Sequence, residues 1–429
     1  MRYTPLNKSL YIKNRQKLVG KLKSNSIAIF NSNDIMPTNA DGTMPFRQNN
    51  DLFYLTGIDQ EETILVVCPD FPNEDMREIL FIRETNEHIA IWEGHKYTKE
   101  EAFEASGIKN IQWVENFDSV VSTLTALQEN IYLNTNEHLR AAIQVETRDA
   151  RFFKSFKERF PLHQYHRVAP IMHQLRAVKE DEEIEQLQKA CDITDKAFRR
   201  ILEFVKPGVM EYEIEAEFIH EFIRNGSRGF AYTPIIASGA SACVLHYIDN
   251  NKPCQDGDLI LFDVGAEYGN YNADMSRTIP VNGRFTKRQK DVYNAVLRVQ
   301  EGAMDILKPG NNIQAYHKEV GKIMESELIN LGLLDKTDVK NQDPTKPLYK
   351  KYFMHGTSHH LGLDVHDVGT MYEPISPGMV FTVEPGIYIQ EEGIGIRLEN
   401  NIVIQSDGYL DLMGNIPIEV EEIEELMNR

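Results

Sequence analysis

The spacing of hydrophobic positions changes after the first third of the chain. Up to about residue 175 they come as short apolar runs set off by turn residues. "SIAIFNS" from Ser26 and "ETILVVCPD" from Glu62 each have the length of a buried strand. "EILFIRETNEHIAIW", Glu78 to Trp92, reads as two strands joined near Thr85 and Asn86. The pattern assigns no elements to the polar, charge-rich stretch that follows. Near "HQLRAVKEDEEIEQL" the period becomes helical. Ile184, Leu187, Cys191, Ala197, Ile201 and Leu202 fall roughly on one face of a long amphipathic helix. The change predicts one domain over 1–175, a smaller α/β unit, and a second over 176–429.

The second region repeats itself. A helix stops at Lys206, Pro207 and Gly208, and another follows in "EYEIEAEFIHEFIRNG". The helix "KDVYNAVLRVQEGAMDILKPG" stops in the same way at Lys308, Pro309 and Gly310, ahead of "AYHKEVGKIMESELINLG". Proline and glycine after an apolar-periodic run end a helix for steric reasons. Each pair then leads through a glycine-rich stretch with histidine, "ASGASACVLHY" or "HGTSHHLGLDVH", to an apolar strand ending in an acid, "DGDLILFDVG" or "PGMVFTVEPG". The KPG triplets lie 102 residues apart, and Asp263 and Glu384 lie 121 apart. The difference of 19 matches a polar insertion such as "DKTDVKNQDPTKPLYKK". The expected fold class is α+β, with an internal pseudo-two-fold duplication of helix–helix–strand units.

Composition narrows the function classes. Hydrophobic residues make up 41% and charged residues 26% of 429, the balance of a soluble globular protein. The net charge of −19 repels phosphate backbones, so nucleic acid is not an expected partner. No run approaches 18 apolar residues, which argues against a membrane span, and the first residues contain no signal-peptide apolar core. Cys68, Cys191, Cys243 and Cys254 have no CxxC spacing and fit a reducing, cytoplasmic compartment.

The candidate chemistry lies in the repeat. Asp274 follows Asp263 by eleven residues, past a glycine- and asparagine-rich hairpin. After Glu384, Arg397 and Glu399 alternate with Ile396 and Leu398 and so share one strand face. If the halves pack about a pseudo-two-fold, Asp263, Asp274, Glu384 and Glu399 converge. Four converging carboxylates need cations, because unpaired buried charge is costly. Oxygen donors plus one imidazole favour manganese, cobalt or zinc. Each acid alone could equally be a surface or salt-bridge residue; the duplicated placement is what favours a metal centre. The histidines of "FMHGTSHHLGLDVHD" (His355, His359, His360 and His366) and His246 in the first half are candidates to complete it or to bind substrate, and His360 reads as structural.

These residues are similar to those of a known family. Residues from about 180 to 429 resemble the pita-bread metallopeptidases, which include methionine aminopeptidase, prolidase and aminopeptidase P. Asp263, Asp274, His359, Glu384 and Glu399 fall in order on the family's five metal ligands. "HGTSHHLGLDVHDVG", "TVEPGIYI" and "GIGIRLENNIVI" look like the aminopeptidase P and prolidase branch, and "PFRQNNDLFYLTGI" resembles the aminopeptidase P N-terminal domain. The resemblance implies two divalent ions, manganese first and cobalt or zinc otherwise, bridged by water or hydroxide. It places Asp274 and Glu399 between the ions, Asp263 on one, and His359 and Glu384 on the other. It further implies that Glu384 shuttles a proton, that His246 and His366 bind substrate carbonyls, and that His355 lines the cleft. Arg397 would orient an acid, and Tyr388 would lie near the metals. Trp92 occupies the place of an aromatic that reaches a neighbouring subunit's active site; its alternative is a core aromatic of the N-terminal domain.

The expected function is therefore a Xaa-Pro aminopeptidase acting on peptides with proline second, in a homodimer or homotetramer. The alternatives are a prolidase cutting Xaa-Pro dipeptides, a metal-free pita-bread hydrolase, or a binding module. The intact ligand set weighs against the last two.

Overall fold

A computed structural model describes residues 2–429. Its contacts divide the chain into two compact units, residues 5–176 and residues 177–429 with the first few residues.

The smaller unit is built on a six-stranded sheet. In spatial order its strands are Asn110–Trp113, Glu78–Ile82, Ile64–Val67, Ser26–Asn31, Asn130–Leu133 and Gln164–Arg167. Ser26–Asn31 runs antiparallel to Ile64–Val67 and parallel to Asn130–Leu133. Ile27, Ile29, Val66, Phe81, Ile131 and Phe156 share its core. The predicted strand at residues 87–92 is instead the helix Glu87–Glu93. The Asn86 side chain caps it by accepting the Ile89 N–H. The free edge of Glu78–Ile82 is taken by Asn110–Trp113 in parallel, which leaves no place for a hairpin partner. Ile91 and Trp92 are consequently 78% and 79% exposed, so Trp92 is not a core aromatic.

The larger unit shows the duplication directly. The helices Asp181–Phe204 and Glu211–Arg224 precede a three-stranded antiparallel sheet of Met275–Pro280, Leu259–Val264 and Ile235–Ser238. The helices Lys287–Ile306 and Ile313–Asn330 precede a sheet of Val380–Val383, Asn400–Ile404 and Tyr409–Asp411, and a hairpin of Gly386–Ile389 and Ile394–Arg397. Gly208 and Gly310, at φ of 92° and 87°, turn the chain after each first helix. The polar insertion forms the short helix Lys336–Asn341 and a 3-10 turn at Leu348–Lys351.

The halves meet along a polar seam. Glu399 N–H donates to Ser276 O at 3.0 Å, and Arg397 N–H to Thr278 Oγ1 at 3.3 Å. Asn401 pairs its amide with the Asp274 backbone, accepting from N–H at 3.0 Å and donating to the carbonyl at 2.6 Å. These contacts set the first half's returning strand beside that of the second.

Candidate active site

Strand ends at the seam bring the candidate acids together. Asp263 lies on Leu259–Val264, opposite Ser276 in the register, and Asp274 immediately precedes Met275–Pro280. Glu384 follows Val380–Val383, and its N–H donates to Thr357 O at 2.8 Å. Glu399 links Ile394–Arg397 to Asn400–Ile404. One donor atom each from Asp274, His359 and Glu399 lies within 4.8 Å of the others. His359 Nε2 is 3.4 Å from Asp274 Oδ2 and 3.7 Å from Glu384 Oε1. Asp263 joins through Tyr232, whose hydroxyl lies 2.6 Å from both Asp263 Oδ1 and Asp274 Oδ1.

The electrostatics of the cluster are lopsided. Burial, followed by the neighbouring carboxylates, holds the Asp274, Glu384 and Glu399 carboxyls well above the usual carboxylate range. Arg397 is the cation placed against them. It donates to Asp263 Oδ2 at 2.5 Å, to Tyr388 Oη at 2.9 Å and to Ser276 Oγ at 2.7 Å. The Ser276 hydroxyl donates in turn to Glu399 Oε2 at 2.8 Å. One guanidinium does not balance four acids. Two carboxylate oxygens and an imidazole nitrogen within 4.8 Å of one another, with Glu384 Oε1 3.7 Å from that imidazole, suit a divalent cation, so the residues present fit a metal centre.

The other histidines take different places. His355 Nε2 lies 2.9 Å from Tyr388 Oη, and its Nδ1 is 2.7 Å from Gly356 O. Its pKa is pushed down to about 3, first by burial and then by the Arg397 charge, with His246 near enough to add to the effect. His246 is solvent-exposed. His366 is also exposed, and its ring stands edge-on to that of His359 at 4.2 Å. His360 is buried against Phe381, with ring centroids 4.4 Å apart. Trp92 belongs to the smaller unit.

Three residues of the cluster were not singled out from the sequence. Ser276 and Asn401 stand two residues beyond Asp274 and Glu399, so strand alternation carried their signal. Tyr232 precedes Ile235–Ser238 in "GFAYTPII" and has no periodic mark.

The chain is similar to known proteins over nearly its whole length. Residues 185–406 match the metallopeptidase family M24, and residues 11–132 match the aminopeptidase P N-terminal domain. The chain is 35% identical to a Xaa-Pro aminopeptidase of Escherichia coli over 98% of both chains. It is 30% identical to a human Xaa-Pro aminopeptidase 3 over 93% of this chain and 78% of that protein. A solved structure of zinc-substituted Escherichia coli aminopeptidase P in complex with product superposes with a TM-score of 0.88 at 34% identity, covering 99% of each chain.

Proposed function

The chain belongs to metallopeptidase family M24, and from that premise we propose that it is a metal-dependent Xaa-Pro aminopeptidase, releasing the first residue of peptides whose second residue is proline. The observation that carries the reading is the convergence of Asp274, His359 and Glu399, with Glu384 and Asp263 beside them. These five residues would hold two divalent cations, with manganese first, then cobalt or zinc. The chemistry they would supply there is a lowered pKa for bound water, and so a nucleophile near neutral pH.

The chain's own residues account for the remaining steps. Glu384, whose Oε1 lies 3.7 Å from His359 Nε2, is suited to accept a proton and deliver it to the leaving nitrogen. That nitrogen belongs to proline and offers the site no N–H in the bound substrate; like any amide nitrogen, it departs only once protonated. His366 beside His359, and His246 at the exposed edge near His355, would donate to substrate carbonyls, and His366 to the oxyanion. The chain from His355 through Tyr388 to Arg397 and Asp263 fixes the orientation of the acid cluster.

The exposure of Trp92 on its short helix supports the reading in which it lines a neighbouring subunit's cleft in a homodimer or homotetramer. No helix among the described residues is long and apolar enough to cross a membrane. Four free cysteines, three of them buried, support a cytoplasmic location.

The test is hydrolysis of Ala-Pro-Ala after chelation and again after adding back manganese. Cleavage to alanine and Pro-Ala only with metal is expected. Metal-independent cleavage, or a preference for the dipeptide Ala-Pro, would overturn the assignment.

A further inference from the structure

Asp367 sits next to His366, yet its carboxylate points away from the acid cluster into a second, deeply buried arrangement. It accepts from Lys179 Nζ at 2.9 Å, and both side chains are 1% exposed. A buried ion pair of this kind is a poor source of stability, because desolvating both charges offsets most of their attraction. Its surroundings are built tightly around it. A Cβ on Gly362 would come within 2.2 Å of the Asp367 carboxylate and 2.9 Å of the Lys179 chain, so only glycine fits there. Lys179 is itself anchored, its N–H donating to Gly378 O at 2.9 Å while Val178 bridges to Met379.

The backbone of Asp367 connects this pair to the reactive cluster. Its N–H donates to His360 O at 2.8 Å. The same carbonyl lies 2.9 Å from His359 Nδ1. A carbonyl can only accept, so it fixes a proton on Nδ1 and turns Nε2 of His359 toward Asp274 and Glu384. The loop is held from its other side by Asn272, whose amide donates to Gly362 O at 3.0 Å and Leu363 O at 2.9 Å.

Resting on the function proposed above, we propose that the Lys179–Asp367 ion pair is a positioning device that sets both the His359 imidazole and the neighbouring His366. The pair locks the backbone of residue 367, and that backbone locks the carbonyl that aims His359. His366 is carried on the same fixed segment, with its ring held edge-on to His359. Lys179 and Asp367 are positioning residues, because neither is placed to touch substrate.

The test replaces the charges in pairs while keeping their shapes, in the double variant Lys179→Met with Asp367→Asn. Thermal midpoint, kcat and KM for Ala-Pro-Ala, and the visible absorption spectrum of the cobalt-loaded protein are compared with the parent. A melting midpoint within a few degrees of the parent, a KM within about twofold, a kcat lowered about tenfold or more and an altered cobalt spectrum are expected. An unchanged kcat and cobalt spectrum in the double variant would overturn the proposal. So would a kcat loss no larger than the loss of folded protein, since that is what a purely structural pair produces. If the parent does not cleave the tripeptide, the peptidase reading fails by itself, and the cobalt spectrum still decides whether the pair aims His359.

Discussion

The two halves of the larger unit start their second helices at matched positions, Glu211 and Ile313, each three residues after a left-handed glycine. Both side chains are buried, but with opposite chemistry. Glu211 accepts four hydrogen bonds, from Ser238 N–H and hydroxyl, Tyr247 hydroxyl and Lys252 N–H, at 2.7–2.9 Å. Ile313 makes apolar contact, and the helix beside it is capped by Asn312 instead. Four residues on, about one helical turn, Glu215 accepts from Asn250 at 3.0 Å in the first half, while His317 meets Ser358 at 3.1–3.2 Å in the second. The backbone plan has been kept while the groups that satisfy it have been exchanged. The acids at the strand ends were not exchanged in kind: Asp263 and Asp274 are matched by Glu384 and Glu399. The histidines, by contrast, gather in the second half, and the first half contributes Tyr232. Scaffold positions tolerate a change of chemistry wherever every buried polar group still finds a partner. Positions that converge on one point do not.

The sharpest way to break this comparison is to truncate the matched acids Asp274 and Glu399 separately. Each to alanine should abolish both divalent-metal binding and peptide cleavage, measured by metal stoichiometry and turnover. A full metal complement in either variant would show that the halves are unequal at the centre. Next comes the helix-start pair. Glu211→Ala strands four donors and should cost about 3–5 kcal/mol in urea unfolding. Ile313→Ala leaves a cavity and should cost about 2–3 kcal/mol. The reverse order would mean that the polar half is not held by its glutamate. His366→Ala should keep its metal and lose roughly 100-fold in kcat, on the order of one lost oxyanion donor. Loss of metal in that variant would place His366 among the ligands.

The smallest effect concerns pH. Burial pushes the His317 imidazole down to about 4. Unfolded chains take up a proton on this histidine near pH 6.5, and the folded protein does not until about 4. Stability linked to His317 is therefore intact above 6.5 and is progressively lost as pH falls toward 4. The loss amounts to about 2–3 kcal/mol. His317→Gln should flatten that slope in urea unfolding between pH 4.5 and 7.5, and an unchanged slope would assign the titration elsewhere.

Much of the larger unit was legible in the sequence because its signals are local. Helix stops at KPG and apolar runs ending in acids are read without knowing what packs where. The alternation of Arg397 and Glu399 gave the strand face, and the same rule extends to Asn401. Two kinds of feature were not legible. The segment at residues 87–92 has strand-like residues, but sheet pairing is decided by which strand occupies the neighbouring edge, and that strand lies some twenty residues on. Tyr232 and Lys179 act through partners 31 to 188 residues away, and a single tyrosine or lysine carries no periodic mark of such a partner.

The seam between the halves has a consequence for how the protein matures. No half contains a complete donor set, and the Asn401 amide that clamps Asp274 comes from the opposite side. On the proposed reading, ion uptake would wait until two distant stretches of chain have docked, and an ion once captured would tie them together like a rivet. Metal supply would in this way govern how long the newly made chain survives as well as how fast it turns over substrate.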